Sequence, residues 1–389
     1  MEDFNKLYSE VINDISFGLQ DFFKRIQSDP NLSVLKHVDQ YEKLQKIGQG
    51  TFGEVFKVRD IQTKKYYALK RIKLEQEKEG FPITALREIK ILQSLNHPNI
   101  VCLREICCSS PTKEKLYKPE FYLLFDLCDH DLAGLLSDQN MKFSLPQRKS
   151  IMKQLFTGIF YLHRNNVIHR DLKAANILIE KHGTLKIADF GLARYTIKSP
   201  KPDHPPKYTS RVVTMWYRPP EILLNDRHYD KSVDMWGAGC IMAELWTKYP
   251  IMQGESEIHQ LKLIINLCGS INEESWPGVS KLEAFKRLER TNHKRFVRQQ
   301  LLKVIDCHSA VDLIDKLLLL DPRKRLTADI ALMHEFFYED PPAGDLSDFS
   351  NAGSFYEFLS NQKKPNQSKA NYLNRDAMKE TSGILDRIY

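Results

Sequence analysis

Long apolar runs are missing from this 389-residue sequence. No stretch approaches the roughly 18–20 consecutive apolar residues that a membrane-spanning helix needs, so no span and no membrane partner is expected. The first residues also lack the charged start, apolar run and small-residue cleavage site of a secretory signal. Cysteine is sparse: seven residues, an odd number, with no C-x-x-C spacing. That pattern reads neither as a disulfide framework nor as a zinc site. Cys107 and Cys108 are adjacent, which suits neither use, and a reducing compartment is expected. Charge is not concentrated either. The formal net charge of +7 is modest for the length, and the Lys and Arg residues are dispersed. A basic stripe for nucleic acid is therefore lacking, and no direct nucleic-acid binding is expected. An acidic or phosphorylated partner stays open. No internal repeat is present.

The length suits one large two-lobed domain or two domains, and 42% apolar residues suffice for a packed interior. Residues 1–40 precede the first strand signal. Phe4, Leu7, Tyr8, Val11, Ile12 and Ile15 fall at helical spacing, and Leu19, Phe22, Phe23 and Ile26 repeat it. This predicts a helical extension in which, over residues 1–29, six acids outnumber three bases, the wrong sign for a membrane-surface helix. It either packs on its own domain or docks another protein. Residues 41–126 read as strands with one helix, opened by Pro82 and running to about Ser94. From Asp131 onward the spacing is helical, as at Ile151, Leu155, Ile159 and Leu162, and again at Val311, Ile314, Leu317 and Leu318. A strand-rich part followed by a helix-rich part predicts two lobes, 41–126 and 127–340, joined near Asp126–Asp129. After Asp340 the composition changes, and 341–389 reads as a tail whose residues 361–382 are polar.

Gly48-Gln49-Gly50-Thr51-Phe52-Gly53-Glu54-Val55 is a G-x-G-x-x-G-x-V loop. Glycines let a backbone approach phosphates closely. A dinucleotide-binding turn would require a helix straight after the loop and an acidic residue about 20 positions on. Here Val55-Phe56-Lys57-Val58 continues as a strand, and the next strand run ends on a basic residue, Lys70 in Tyr67-Ala68-Leu69-Lys70. Further on stand His169-Arg170-Asp171-Leu172-Lys173-Ala174-Ala175-Asn176 and, 13 residues later, Asp189-Phe190-Gly191. Lys70, Glu88, Asp171, Asn176 and Asp189 in this order suit phosphoryl transfer. That reaction needs positioned groups and charge neutralisation rather than covalent chemistry from the protein.

These strings resemble the eukaryotic protein kinase family over roughly residues 41–340. The resemblance implies an α+β, two-lobed fold: a small β-rich N-lobe carrying the αC helix, and a larger helical C-lobe. It implies ATP as phosphoryl donor and Mg2+ as its metal. Ile47, Gly48, Gly50, Gly53, Val55 and Ala68 would frame the nucleotide. Lys70, oriented by Glu88, would hold the α- and β-phosphates. Phe125 would be the gatekeeper, the backbone of Asp126 and Cys128 would bind adenine, and Asp131 would complete the nucleotide set. Asp171 would orient the acceptor hydroxyl and take its proton, with Lys173 and Thr214 beside it, and Asn176 and Asp189 would hold metal. Asp234 would brace the catalytic loop from below. Glu221 would clamp to Arg325. Lys173, two residues after Asp171, implies a Ser/Thr acceptor.

Within the family the chain resembles the cyclin-dependent kinases, in a branch acting in transcription. The residues carrying this are Pro82-Ile83-Thr84-Ala85-Leu86-Arg87-Glu88 and the run Leu124–Leu132. The resemblance implies a cyclin, of T type, on the Pro82–Leu95 helix region, where it would move Glu88 towards Lys70. It also implies an activating phosphate on Thr209 met by Arg87, Arg170 and Arg194, and a proline pocket built on Val213 and Arg218. Ser/Thr-Pro substrates follow, among them the repeat tail of RNA polymerase II and elongation factors, with nuclear residence. The tail after residue 360 would fold near the hinge. The first 40 residues and the tail depart from the family pattern. Other proline-directed kinases and a kinase-fold scaffold are the alternatives, and the scaffold is opposed by the presence of Lys70, Asp171 and Asp189.

Overall fold

A computed structural model describes residues 36–50, 53–73, 82–110, 120–196, 208, 214–347 and 354–363. The helical extension expected before residue 36, Thr51 and Phe52, Thr209, Val213 and the tail beyond residue 363 lie outside the described residues. The chain forms two compact units. One comprises Met1–Ser94 with Cys102–Leu127, the other Leu95–Val101 with Cys128–Tyr389.

The first unit is a six-stranded sheet in the order β1-β5-β6-β4-β3-β2. Its strands are β1 (Lys36–His37), β2 (Tyr41–Gly50), β3 (Gly53–Asp60), β4 (Tyr66–Ile72), β5 (Leu103–Cys108) and β6 (Phe121–Asp126). All neighbours are antiparallel except β1, which runs parallel to β5. Side chains alternate between faces. Val58, Leu69, Tyr122 and Leu124 pack on one side with Val38 and Tyr41. Ile72, Phe121 and Leu123 pack on the other with Ala85 and Ile89 of helix α1 (Ile83–Gln93). That two-sided burial explains the near-continuous apolar run of β6. The sheet begins at Lys36, inside the stretch read as an extension: β1 pairs with Cys107 and Cys108, and Tyr41 donates to Glu105 at 2.7 Å. Pro82 stands just outside α1 as its N-cap, and its carbonyl accepts the first helical bond, from Leu86 N–H at 3.1 Å.

The second unit is mainly helical. Its longer helices include α2 (Leu132–Ser137), α3 (Leu145–Arg164), α4 (Ser232–Thr247), α5 (Glu257–Cys268) and α6 (His308–Leu317). A capping box fixes the start of α3. Ser144 Oγ accepts from Gln147 N–H while the Gln147 side chain accepts from Ser144 N–H. Helix α4 is buried on nearly every side, which is why its sequence shows apolar residues without a polar stripe. Leu95–Val101 joins this unit although it interrupts the strand-rich stretch in sequence. Asn99 donates to Leu185 O at 2.9 Å, Ile187 N–H donates to Asn99 O at 2.9 Å, and Val101 N–H donates to Ile187 O at 3.1 Å. Two short sheets carry the loops that matter below: β7 (His130–Asp131), β9 (Ile177–Ile179) and β10 (Leu185–Ile187) form one, β8 (Val167–Ile168) and β11 (Arg194–Tyr195) the other.

Candidate active site

In the first unit the glycine loop is a hairpin of β2 and β3. Gly48 faces Val55, Gln49 faces Glu54 and Gly50 faces Gly53. Gly53 is required by packing, since a Cβ there would lie 2.0 Å from the Arg71 carbonyl oxygen of β4. Val55 pairs with Lys70, and Ala68 pairs with Phe125 on the opposite neighbour. Ile47 is buried. Lys70 Nζ donates to Glu88 Oε1 at 2.7 Å, with side chains 12% and 5% exposed. The Lys70–Glu88 pair expected from the sequence is thus formed. Arg87 neighbours Glu88 on α1. The Asp126 side chain, whose backbone was expected to meet adenine, forms a two-point ion pair with Arg104 at 2.8 and 2.7 Å.

In the second unit the catalytic loop is built around Asp171, which is buried. Its Oδ1 accepts from Thr214 N–H at 2.9 Å and from Thr214 Oγ1 at 3.1 Å. Its Oδ2 lies 3.2 Å from Asn176 Nδ2 and 3.1 Å from Lys173 Nζ. Lys173 Nζ also donates to Thr214 Oγ1 at 3.0 Å. The four residues named from the sequence therefore meet at one carboxylate.

The loop is held from beneath by Asp234 of α4. Its carboxylate accepts from His169 N–H at 2.9 Å, Arg170 N–H at 2.8 Å and His163 Nε2 at 2.9 Å. Burial opposes ionisation of this fully enclosed group, but hydrogen bonds and charge from His163, His169 and Arg170 outweigh it and keep the carboxyl below its ordinary range. Gly237, one turn along α4, lets Leu172 approach: a Cβ there would sit 3.1 Å from Leu172. Arg170 needs this support, because its φ of 68° is uncommon for a residue with a side chain. His169 accepts Asp171 N–H at Nδ1 and so donates from Nε2 to Ala188 O at 2.9 Å. That fixes the backbone just before Asp189, which is itself left-handed with φ 62°.

Asn176 and Asp189 fit a hard cation. Asn176 spends its NH2 on the Asp171 carbonyl at 2.8 Å and on the carboxylate, so its amide oxygen is the atom that could coordinate a metal. With the Asp189 carboxylate, the donor set is all oxygen, the kind that magnesium takes.

Two of the three arginines expected at a phosphate, Arg170 and Arg194, stand in this unit. Arg170 donates from Nε to Leu192 O at 2.8 Å and from Nη1 to Tyr229 OH at 2.6 Å, and its buried Nη2 has no hydrogen-bond partner among the described residues. Arg194 stands on β11, and its charge, with that of Arg170, opposes the rise that burial imposes on the Tyr229 phenol. Tyr208, next to Thr209, stacks at a tilt on Tyr229 with centroids 5.2 Å apart. Tyr229 is a member of this group that sequence reading missed, since nothing in its neighbourhood marks it. Arg218, expected from the sequence in a proline pocket, pairs with Glu257 at 2.6 Å. Glu221 and Arg325 form the expected clamp, with bonds of 2.6 and 2.7 Å between fully buried side chains.

Two groups assigned to the nucleotide are occupied by the chain itself. Asp131 caps α2 by accepting from Gly134 N–H at 2.6 Å, and its other oxygen accepts from Glu357 N–H at 3.0 Å. Tyr356 OH donates to the Cys128 carbonyl at 2.6 Å. Burial pushes the Asp131 carboxyl up to about 7. Sequence reading missed this docking of residues 355–357; the tail it expected near the hinge, after residue 360, lies outside the described residues beyond 363. The signal available was the aromatic pair Phe355-Tyr356 in a polar stretch.

A β-sheet unit carrying a lysine–glutamate pair and a helical unit carrying this Asp171 loop define a protein kinase. The protein kinase domain model matches residues 41–337. Cyclin-dependent kinase 9 of Rattus norvegicus is 54% identical over 325 residues, covering 83% of this chain and 87% of that one. Cyclin-dependent kinase 9 of Danio rerio is 51% identical over 359 residues, covering 90% and 96%. A solved structure, the yeast RNA Pol II CTD kinase CTDK-1 complex, contains a chain 37% identical to this one with a TM-score of 0.70, covering 79% of this chain and 95% of that one. The chain belongs to the protein kinase family, in its cyclin-dependent branch, and is a serine/threonine protein kinase. Membership brings ATP as phosphoryl donor and a divalent metal ion.

Proposed function

We propose that this chain is a cyclin-activated kinase of Ser/Thr-Pro sites that phosphorylates the repeat tail of RNA polymerase II and elongation factors in the nucleus. The observation that carries the chemistry is the Asp171 carboxylate held by Thr214, Lys173 and Asn176. A carboxylate so fixed orients the acceptor hydroxyl and takes its proton as the oxygen attacks the γ-phosphorus. The bond to the β–γ bridging oxygen breaks, ADP leaves, and Lys173 offsets charge on the transferring group. Asn176 and Asp189 would hold Mg2+, which would supply charge neutralisation at the phosphates. Lys70, fixed by Glu88, binds the α- and β-phosphates; Ile47, Val55, Ala68 and Phe125 frame the base, with the glycine loop over the phosphates.

Activation rests on two inputs. A cyclin of T type engages the Pro82–Leu95 region and stabilises the closed Lys70–Glu88 pair by its greater affinity for that arrangement. Phosphate on Thr209 is met by Arg87, Arg170 and Arg194. The unpaired Nη2 of Arg170 supports this, because a buried guanidinium nitrogen without an acceptor is costly and an anion relieves it. Substrate choice rests on Val213 and Arg218, which leave a pocket that only a residue lacking an N–H fits without loss. The relatives named for RNA Pol II CTD activity and as cyclin-dependent kinase 9 support the substrate and the partner.

The test is phosphorylation of a Ser-Pro heptad-repeat peptide by the chain alone and with cyclin T. Strong stimulation, abolished in Asp171→Asn and lowered in Thr209→Ala, is the expected result. Stimulation confined to other Ser/Thr-Pro peptides would overturn the substrate, and no stimulation would overturn the partner.

A further inference from the structure

The segment that follows the activation region is fixed at both ends. Thr214 is bonded to Asp171 at one end. At the other, Trp216 Nε1 donates to Gly254 O at 3.2 Å, and the Trp216 carbonyl accepts from Gln260 Nε2 at 3.3 Å. Gln260 is fully buried and its Oε1 accepts from Gly254 N–H at 2.8 Å. A Cβ on Gly254 would lie 2.6 Å from the Gln260 backbone, so glycine is needed there. The start of α5, capped by Ser256, is thereby locked against residues 214–218. From that first turn Glu257 reaches Arg218, Oε1 to Nη1 at 2.6 Å; the arginine side chain is 13% exposed and the carboxylate 61%.

We propose that Glu257 is a positioning residue for substrate choice, holding Arg218 in the pose that makes the pocket after the phosphoacceptor select proline. This rests on the reading of the chain as a proline-directed kinase with Arg218 in that pocket. Selection there is a difference between two affinities, and it works by rejection. Proline is accepted because the pocket offers no acceptor, and any other residue brings an N–H that must go unpaired. On the reading above, Arg218 would enforce this by occupying a backbone carbonyl. A long side chain has many rotamers, and the carboxylate on its outer face restricts them. Without that charge the guanidinium leaves the carbonyl part of the time, and a non-proline N–H finds a partner. Loss of Glu257 therefore has a signature that damage to the fold lacks: the poor substrate improves.

The measurement is kcat/KM for two heptad peptides differing only in Ser-Pro against Ser-Ala, with the full chain bound to cyclin T. Wild type, Glu257→Gln and Glu257→Asp are compared. In Glu257→Gln the Ser-Pro to Ser-Ala ratio is expected to fall about threefold to tenfold, the range for a partly exposed ion pair, through a rise in Ser-Ala turnover. Glu257→Asp retains the charge and restores most of the ratio. An unchanged ratio in Glu257→Gln, or an equal loss on both peptides, overturns the assignment of Glu257. A wild type indifferent to the proline overturns the proline-directed reading itself.

Discussion

Thr214 binds Asp171 twice, through its backbone N–H at 2.9 Å and its hydroxyl at 3.1 Å, both to the same oxygen. The first bond survives any side chain and the second does not. Thr214→Val keeps the shape and removes the hydroxyl, which also accepts from Lys173 Nζ. We expect kcat to fall about tenfold, at the low end of what one lost polar contact to a reacting group costs. KM for ATP should stay near wild type. Asp171→Asn should cost about 10²–10⁴ in rate. Steady-state kinetics with both substrates varied would check the pair, and a Thr214→Val effect confined to the KM for ATP would contradict the placement.

The Glu221–Arg325 clamp should matter to stability before it matters to turnover. Both side chains are fully buried, and Arg325 also donates to Leu319 O at 2.7 Å. Glu221→Ala leaves a guanidinium without its carboxylate, so about 3–5 kcal/mol of destabilisation is expected. Thermal unfolding of variant and wild type measures it, and a change under about 1 kcal/mol would show that the charges are solvated in solution.

Glu244 provides a pH signature. It is buried and accepts from Tyr217 OH at 2.7 Å, and burial, with the charge of Glu357, pushes it from 4.5 up to about 7. A carboxyl raised in the folded state binds protons that the unfolded chain has released. Its contribution is full below about pH 4.5 and is lost as pH rises through about 7. Glu244→Gln lacks this loss. Its melting temperature should gain on wild type between pH 5 and pH 8, by an amount on the order of 2–3 kcal/mol in stability. Asp131 titrates in the same direction but is present in both proteins. A constant difference across that range would mean that Glu244 ionises normally.

Gly134 separates packing from helix propensity. It lies inside α2, where alanine would ordinarily stabilise by about 1 kcal/mol. A Cβ there would lie 2.8 Å from the Tyr356 carbonyl carbon and 2.9 Å from Glu357 N. Gly134→Ala should therefore release residues 355–357 from Asp131 and Cys128. Hydrogen exchange at Glu357, whose N–H is bonded to Asp131, should accelerate. Unchanged protection there would show that the tail shifts without leaving.

The chemistry was legible because it is local. His169 to Asn176 is one loop of eight residues, so Asp171, Lys173 and Asn176 are close in space because they are close in sequence, even though Asp234 and Thr214 from elsewhere hold them in place. The strand runs were legible for a similar reason, since two-sided burial writes apolar residues without interruption. Lys70 and Glu88 needed only one strand and one helix, 18 positions apart. Legibility failed where a group had two possible uses. Asp131 can serve a ligand or cap a helix, and its residue type favours both. Tyr229 and Glu257 carry no local mark at all.

The amino-acid sequence by itself determined the family and the acceptor class and singled out the residues proposed to react, because each sits in a contiguous string with its own local conformation. The tertiary structure alone decided that Leu95–Val101 belongs with the helical unit, that Tyr229 holds Arg170, that Glu257 holds Arg218, and that Tyr356 and Glu357 claim Cys128 and Asp131. Those last partners are 228 and 226 positions apart. Over such separations no local propensity acts. Which polar group meets which is settled by the packing of the whole unit, where nearly every buried donor finds an acceptor.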